Sequence, residues 1–169
     1  GGASMTKQIG TYIAGAVAAL LIVASSPAAV SAGTLDLLPG RWTGNGVINL
    51  SNGSSERVKC VATYFLRQSG RALEHNLRCA STSFRIDAKA ELGVRGNNLS
   101  GEWRERTYAT GGAVSGRVVG KGLRLTIEGQ NFAAALNVNT PSRCRQSISI
   151  SPRRGLDIAG LSIGLGRAC

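Results

Sequence analysis

The sequence predicts an all-β protein, an antiparallel meander of about 8 to 10 strands closed into a barrel. Three observations carry this expectation. Apolar residues alternate with period two through almost the whole chain after residue 33, and no stretch repeats at the i, i+3, i+4 spacing of a helix. The connections between the alternating runs are short and rich in Gly, Asn, Ser and Pro, too short for parallel crossovers. A hairpin turning at Ser69-Gly70 sets Cys60 opposite Cys79, Ala62 opposite Leu77, Tyr64 opposite His75 and Leu66 opposite Leu73, so one register puts the two cysteines on a largely apolar face.

The chain divides into three parts. Residues 1–4 precede Met5 and read as a non-native leader. Residues 5–32 read as a signal peptide: Lys7 supplies the positive start, residues 12–23 an apolar stretch too short for a membrane span, and Pro27 ends it. Val30-Ser31-Ala32 offers small residues where a signal peptidase reads, which predicts cleavage after Ala32. The next residue is Gly33 and not the cysteine that a lipid anchor requires. Residues 33–169, 137 in all, suit a single β-barrel domain with one core and no membrane span.

Within that domain, strands are expected at 41–50, 57–66, 71–80, 84–94, 99–108, 114–119, 123–128, 132–139, 145–151 and 156–165. The run 84–94 is the clearest: Phe84, Ile86, Ala88, Ala90, Leu92 and Val94 face one way and Arg85, Asp87, Lys89 and Glu91 the other. Across Ala159-Gly160 the apolar phase shifts from Leu156 and Ile158 to Leu161, Ile163 and Leu165, which predicts a bulge in the closing strand. A meander with one apolar face hides its edges by closing into a barrel, the preferred outcome, or by folding over into a β-sandwich.

All four cysteines, Cys60, Cys79, Cys144 and Cys169, lie in the exported part, an even count that predicts two disulfides without zinc spacing. With Cys60 paired to Cys79, the remaining pair would fasten the C-terminal residue to the start of the ninth strand. That loop is long enough for stabilisation of roughly 3 kcal/mol in the chain-entropy account.

The net charge of +11 and the excess of Arg over Lys favour anionic partners. Arg57, Lys59, Arg78, Arg85 and Lys89 fall on neighbouring strands and form the candidate ligand-binding stripe. Aromatic residues do not interleave with it, so nucleic acid is not expected as a partner. Signatures of catalysis are missing: there is no GxSxG, P-loop or HExxH motif and no cluster for a metal, so no catalytic residue, metal or cofactor is expected. The single histidine, His75, is read as a hydrogen-bonded core residue. Glu105 shares a face with Trp103; paired with an Arg it would be structural, and catalysis is not expected there, since no second carboxylate is placed to work with it.

Two segments start with Gly, a charged residue and Trp: Gly40-Arg41-Trp42 and Gly101-Glu102-Trp103. The first, in LPGRWTGNG, resembles the G-x-W opening of the calycin superfamily, the lipocalins and avidins. That resemblance implies that Gly40 and Trp42 are structural at the closed end of the barrel, a role extended here to Trp103. Neither the T-D-Y motif of lipocalins nor the polar ligand set of avidins is present, so no ligand cavity follows from it. The longer run RWTGNGVINLSNGSSERVKCVATYFL, with LEHNLRCAS and LSGEW, resembles a group of small exported proteins of rhizobia and related α-proteobacteria. It implies a periplasmic address and no activity.

The function expected from these features is that of a non-catalytic periplasmic or secreted protein for binding or envelope maintenance, engaging a hydrophobic or anionic envelope component. Inward positions rich in Ala, Gly, Val and Leu either leave a cavity or close tightly in a narrow barrel, and a closed cavity below drug size would count against a small ligand. The alternative is a proteinaceous inhibitor of a secreted lysozyme or protease. It would need a protruding stiff loop, for which residues 139–144, with Pro141 and Cys144, are the candidate. A third role is structural, in a larger envelope assembly.

Overall fold

The computed structural model describes residues 2–3 and 33–169, so the signal peptide expected at residues 5–32 and its cleavage site lie outside the described residues. Ten strands follow one another: β1 Gly40–Leu50, β2 Ser55–Arg67, β3 Ala72–Ala80, β4 Arg85–Arg95, β5 Asn98–Glu105, β6 Thr110–Val119, β7 Gly122–Gly129, β8 Ala133–Ser142, β9 Arg145–Arg154 and β10 Ile158–Gly166. Each pairs antiparallel with the next. β10 returns to β1, with Thr43 opposite Gly166 and Ile48 opposite Leu161, so the sheet closes into a barrel and no edge is exposed. Closure settles the choice between barrel and sandwich.

The hairpin register is as the sequence implies, Cys60 opposite Cys79 and Tyr64 opposite His75, and the cysteines are bonded with their Cα atoms 4.1 Å apart. The bulge also lies where the apolar phase shifts. Asn49 faces Gly160 and Leu50 faces Ile158, leaving Ala159 as the extra residue. The largest shortening is in β5, which stops at Glu105 because residues 106–109 turn, with Ala109 in the left-handed region at φ 51°.

The pleat sorts the side chains. Val58, Leu77, Leu92, Leu125, Val138 and Ile148 point inward and are buried, while Arg57, Lys59, Arg78, Glu102, Arg104, Arg124 and Asn137 point outward. This is the reverse of a membrane barrel, which carries its apolar band outside. Among the described residues no helix is long and apolar enough to cross a membrane.

One end of the barrel is plugged. A single 3-10 turn at Leu35–Leu37 delivers Leu38, fully buried, against Trp42, whose Nε1 donates to the Leu38 carbonyl at 2.9 Å. The Arg167 guanidinium lies 3.9 Å from the centre of the Trp42 ring and donates to the carbonyls of Leu37 (2.8 Å), Pro39 (2.5 Å) and Arg143 (2.7 Å). Gly40 adopts φ 114°, which a side chain resists, and a Cβ there would stand 3.0 Å from Arg167 Nη1. The disulfide between Cys144 and Cys169 pins the chain beyond β10 to the same end.

Candidate functional site

The site is the half of the barrel opposite that plug. Between it and the plug lies a polar layer built from three strands. Tyr64 on β2 donates its hydroxyl proton to Gln146 Oε1 on β9 at 2.9 Å, and Gln146 Nε2 donates to Thr140 Oγ1 on β8 at 3.1 Å. All three side chains are buried, so each needs these partners. Burial pushes the Tyr64 phenol up, and it stays protonated as a donor. The His75 ring stacks on the Tyr64 ring, centroids 4.3 Å apart and planes 9° apart.

The mouth-side half holds a cavity of about 260 Å³. An eight-stranded barrel is just filled by its own side chains, and two further strands widen the interior. Here the inward residues are too small to fill it: Ala88 and Ala90 from β4 and Val114 from β6 line the walls with Leu77, Leu125 and Ile127. Trp103 forms another wall, its Nε1 donating to the Glu128 carbonyl at 3.0 Å and its ring set edge-on to Phe132, centroids 5.3 Å apart. Phe84, Tyr108 and Leu156 stand at the mouth, where Phe84 and Tyr108 tilt together with centroids 6.3 Å apart. The lining is almost wholly apolar. At this size the cavity is just under the range of about 300 to 1,000 Å³ usual for drug-sized ligands, yet larger than the 150 Å³ or so that accepts benzene.

Among the polar residues that line this cavity, Glu105 and His75 are buried. Glu105 is at the end of β5, and its partners are backbone amides rather than an Arg: Oε1 accepts from Asp87 (2.8 Å) and Thr107 (3.0 Å), Oε2 from Tyr108 (2.6 Å). It therefore fastens the 106–109 turn to β4 at the mouth. His75 departs from expectation too. Its Nε2 is buried with no hydrogen-bond partner, and burial holds its pKa down to about 4, so the imidazole is neutral at neutral pH.

The mouth loop between β3 and β4 is anchored from β2. Glu56 accepts from the backbone N–H of Ser83 at 2.9 Å and from the Ser83 hydroxyl, and the Ser81 hydroxyl first, with these Ser83 bonds, holds its carboxyl down at about 2.

The residues singled out from the sequence are dispersed by this geometry. Gly40 and Trp42 sit at the plugged end, whereas Trp103, grouped with them, lies towards the mouth and lines the cavity. The basic stripe is on the outer face. Lys59, Ala80 and Arg85 form one row across β2, β3 and β4, with Arg57 two residues further along β2. Arg78 instead meets Asp87 at 3.4 Å, and Lys89 meets Glu91 at 2.9 Å and Glu74 at 3.5 Å, so two of the five are engaged by carboxylates. A pair that the sequence reading passed over, Arg117 on β6 and Arg124 on β7, stands directly opposite on the outer face with no ion pair among the described residues. Its signal was available in the alternation of both strands. Residues 139–144 form the end of β8 and the short turn into β9. β8 runs to Ser142 and β9 starts at Arg145, with these two residues paired and Cys144 tied down by its disulfide.

No protein-family model matches the sequence, and no curated protein matches it. Solved structures match by fold. The S-type phycobiliprotein lyase CPES from Guillardia theta superposes with a TM-score of 0.56 at 10% identity, over 80% of this chain and 90% of that one. The redesigned β-barrel mFAP0 bound to DFHBI has a TM-score of 0.45 at 13% identity, over 78% and 99%. EF1p2_mFAP2b bound to DFHBI has 0.46 at 12%, over 80% and 97%. The first of these likenesses shows a shared barrel fold and says nothing of this chain's ligand.

Proposed function

We propose that this is a non-catalytic binding protein whose barrel interior takes a compact hydrophobic ligand, working in an oxidising compartment such as the periplasm. The observation that carries the reading is the apolar cavity of about 260 Å³ at the end of the barrel opposite the Trp42 plug. Two disulfides suit such a compartment. Scaling from benzene in about 150 Å³, the cavity accommodates roughly ten non-hydrogen atoms, with any longer tail leaving through the mouth. The non-catalytic reading draws on the same geometry, since the Glu105 oxygens already accept three backbone amides and His75 has no polar group beside it to work with. Inhibition of a secreted enzyme finds less support, because the candidate loop is a short turn between β8 and β9, with Ser142 paired to Arg145.

Native mass spectrometry of the protein purified from its own cells tests this reading. The expected spectrum shows a one-to-one adduct with an apolar small molecule, lost in Ala88→Leu, whose larger side chain occupies the cavity. An adduct held equally by Ala88→Leu, or none in either protein, would contradict it.

A further inference from the structure

The cavity contains one feature that an apolar ligand leaves unanswered. His75 is 5% exposed, lines the cavity, and has an Nε2 atom without a partner among the described residues. Its surroundings explain why the protein does not satisfy it. One face of the imidazole is covered by Tyr64, whose hydroxyl is committed to Gln146. Across the ladder on the other side stands Ala90, which offers only a methyl group, and His75 itself forms part of the cavity lining. A buried nitrogen with no partner is an uncommon arrangement, because the desolvation it costs is recovered only when something bonds to it.

Resting on the reading of the cavity as a ligand site, we propose that the ligand is a compact apolar molecule with one hydroxyl group, a phenol or alcohol, that hydrogen-bonds to His75 Nε2. A neutral imidazole presents one donor and one acceptor nitrogen, and a hydroxyl answers either, so the match holds in both tautomers. A carboxylate fits poorly. The imidazole is neutral, Glu105 already places a negative charge in the lining, and the Lys89 ammonium turns to Glu74 and Glu91 on the outer face. An anionic ligand would be desolvated there without a counter-charge.

The size of the cavity suggests the probes: naphthalene, 2-naphthol and 2-naphthoate, titrated at pH 7 with Trp103 fluorescence as the readout. Wild type is expected to bind 2-naphthol at least tenfold more tightly than naphthalene, and 2-naphthoate more weakly than either. His75→Phe keeps the ring stack on Tyr64 and removes both nitrogens; it should bind naphthalene within about threefold of wild type and lose the preference for 2-naphthol, since one charge-neutral hydrogen bond is worth about a factor of ten. His75→Gln should restore part of that preference. In wild type, whatever the variants do, the His75 ring nitrogen resonances should move with 2-naphthol and stay in place with naphthalene. Equal binding of naphthalene and 2-naphthol would overturn the hydroxyl assignment and leave the apolar site standing. Binding of neither would overturn both.

Discussion

Arg167 shows how much one residue can hold. It stacks on Trp42 and donates to three carbonyls from two parts of the chain, joining the 3-10 turn, the β8–β9 turn and the segment after β10. Arg167→Ala removes the cation–π contact and strands those carbonyls, and should cost about 2 to 4 kcal/mol in urea unfolding. Arg167→Lys should recover little, because an ammonium cannot stack flat and span three acceptors. Nothing in the sequence marks this residue: it is one of many arginines, beyond the last alternating run, and its partners are backbone atoms. His75 was legible as an inward core residue from its register with Tyr64, but not as an unpartnered one, since that depends on Tyr64 being taken by Gln146 eighty-two positions away. The histidine also sets a pH dependence. Its folded pKa, about 4, lies below the ordinary 6.5, so on acidification the unfolded chain takes up the proton first. Stability should be full above pH 6.5 and fall by about 3 kcal/mol as pH drops to 4. His75→Phe should flatten that window in urea titrations, leaving only the acid loss from carboxylates such as Glu56, whose contribution goes as pH falls towards 2.

At the scale of the strand, alternation carries most of the information. It located all ten strands and, through the shift around Ala159, the bulge in β10, because a half-buried pleat leaves a period-two trace in any sequence that folds this way. The end of β5 was not readable. The alternation continues through Thr107, and what stops the strand is the Glu105 carboxylate collecting the amides of the next turn. Several inward glycines are set by neighbouring backbone. Gly112 on β6 faces Trp103, and a Cβ there would run into the Glu128 carbonyl that accepts the Trp103 indole proton. Gly112→Ala should therefore cost about 1 to 3 kcal/mol and loosen the cavity wall, whereas Gly164→Ala, with nothing within 4 Å of the new carbon, should change stability by under about 0.5 kcal/mol in the same urea assay.

The whole molecule is a closed cylinder filled unequally. Trp42, Leu38, Tyr64 and the Arg167 clasp fill one half, and small residues on β4 and β6 leave the other half open. Barrel closure was legible from the strand count and the turn lengths. The cavity was legible only as one of two outcomes, because whether small inward residues leave space depends on barrel width, and that follows from ten strands pairing around a circle. The charged stripe proved harder to read, since Asp87, Glu74 and Glu91 meet its members through pairings that only the register reveals. The central claim, that the open half binds a compact apolar ligand, is tested most directly by amide and methyl chemical shifts during titration with naphthalene. Saturable shifts should be confined to Leu77, Ile86, Trp103, Ile127 and their neighbours, and Ala88→Leu should abolish them. Shifts that never saturate, or that centre on the outer face around Arg57 and Arg85, would contradict the account.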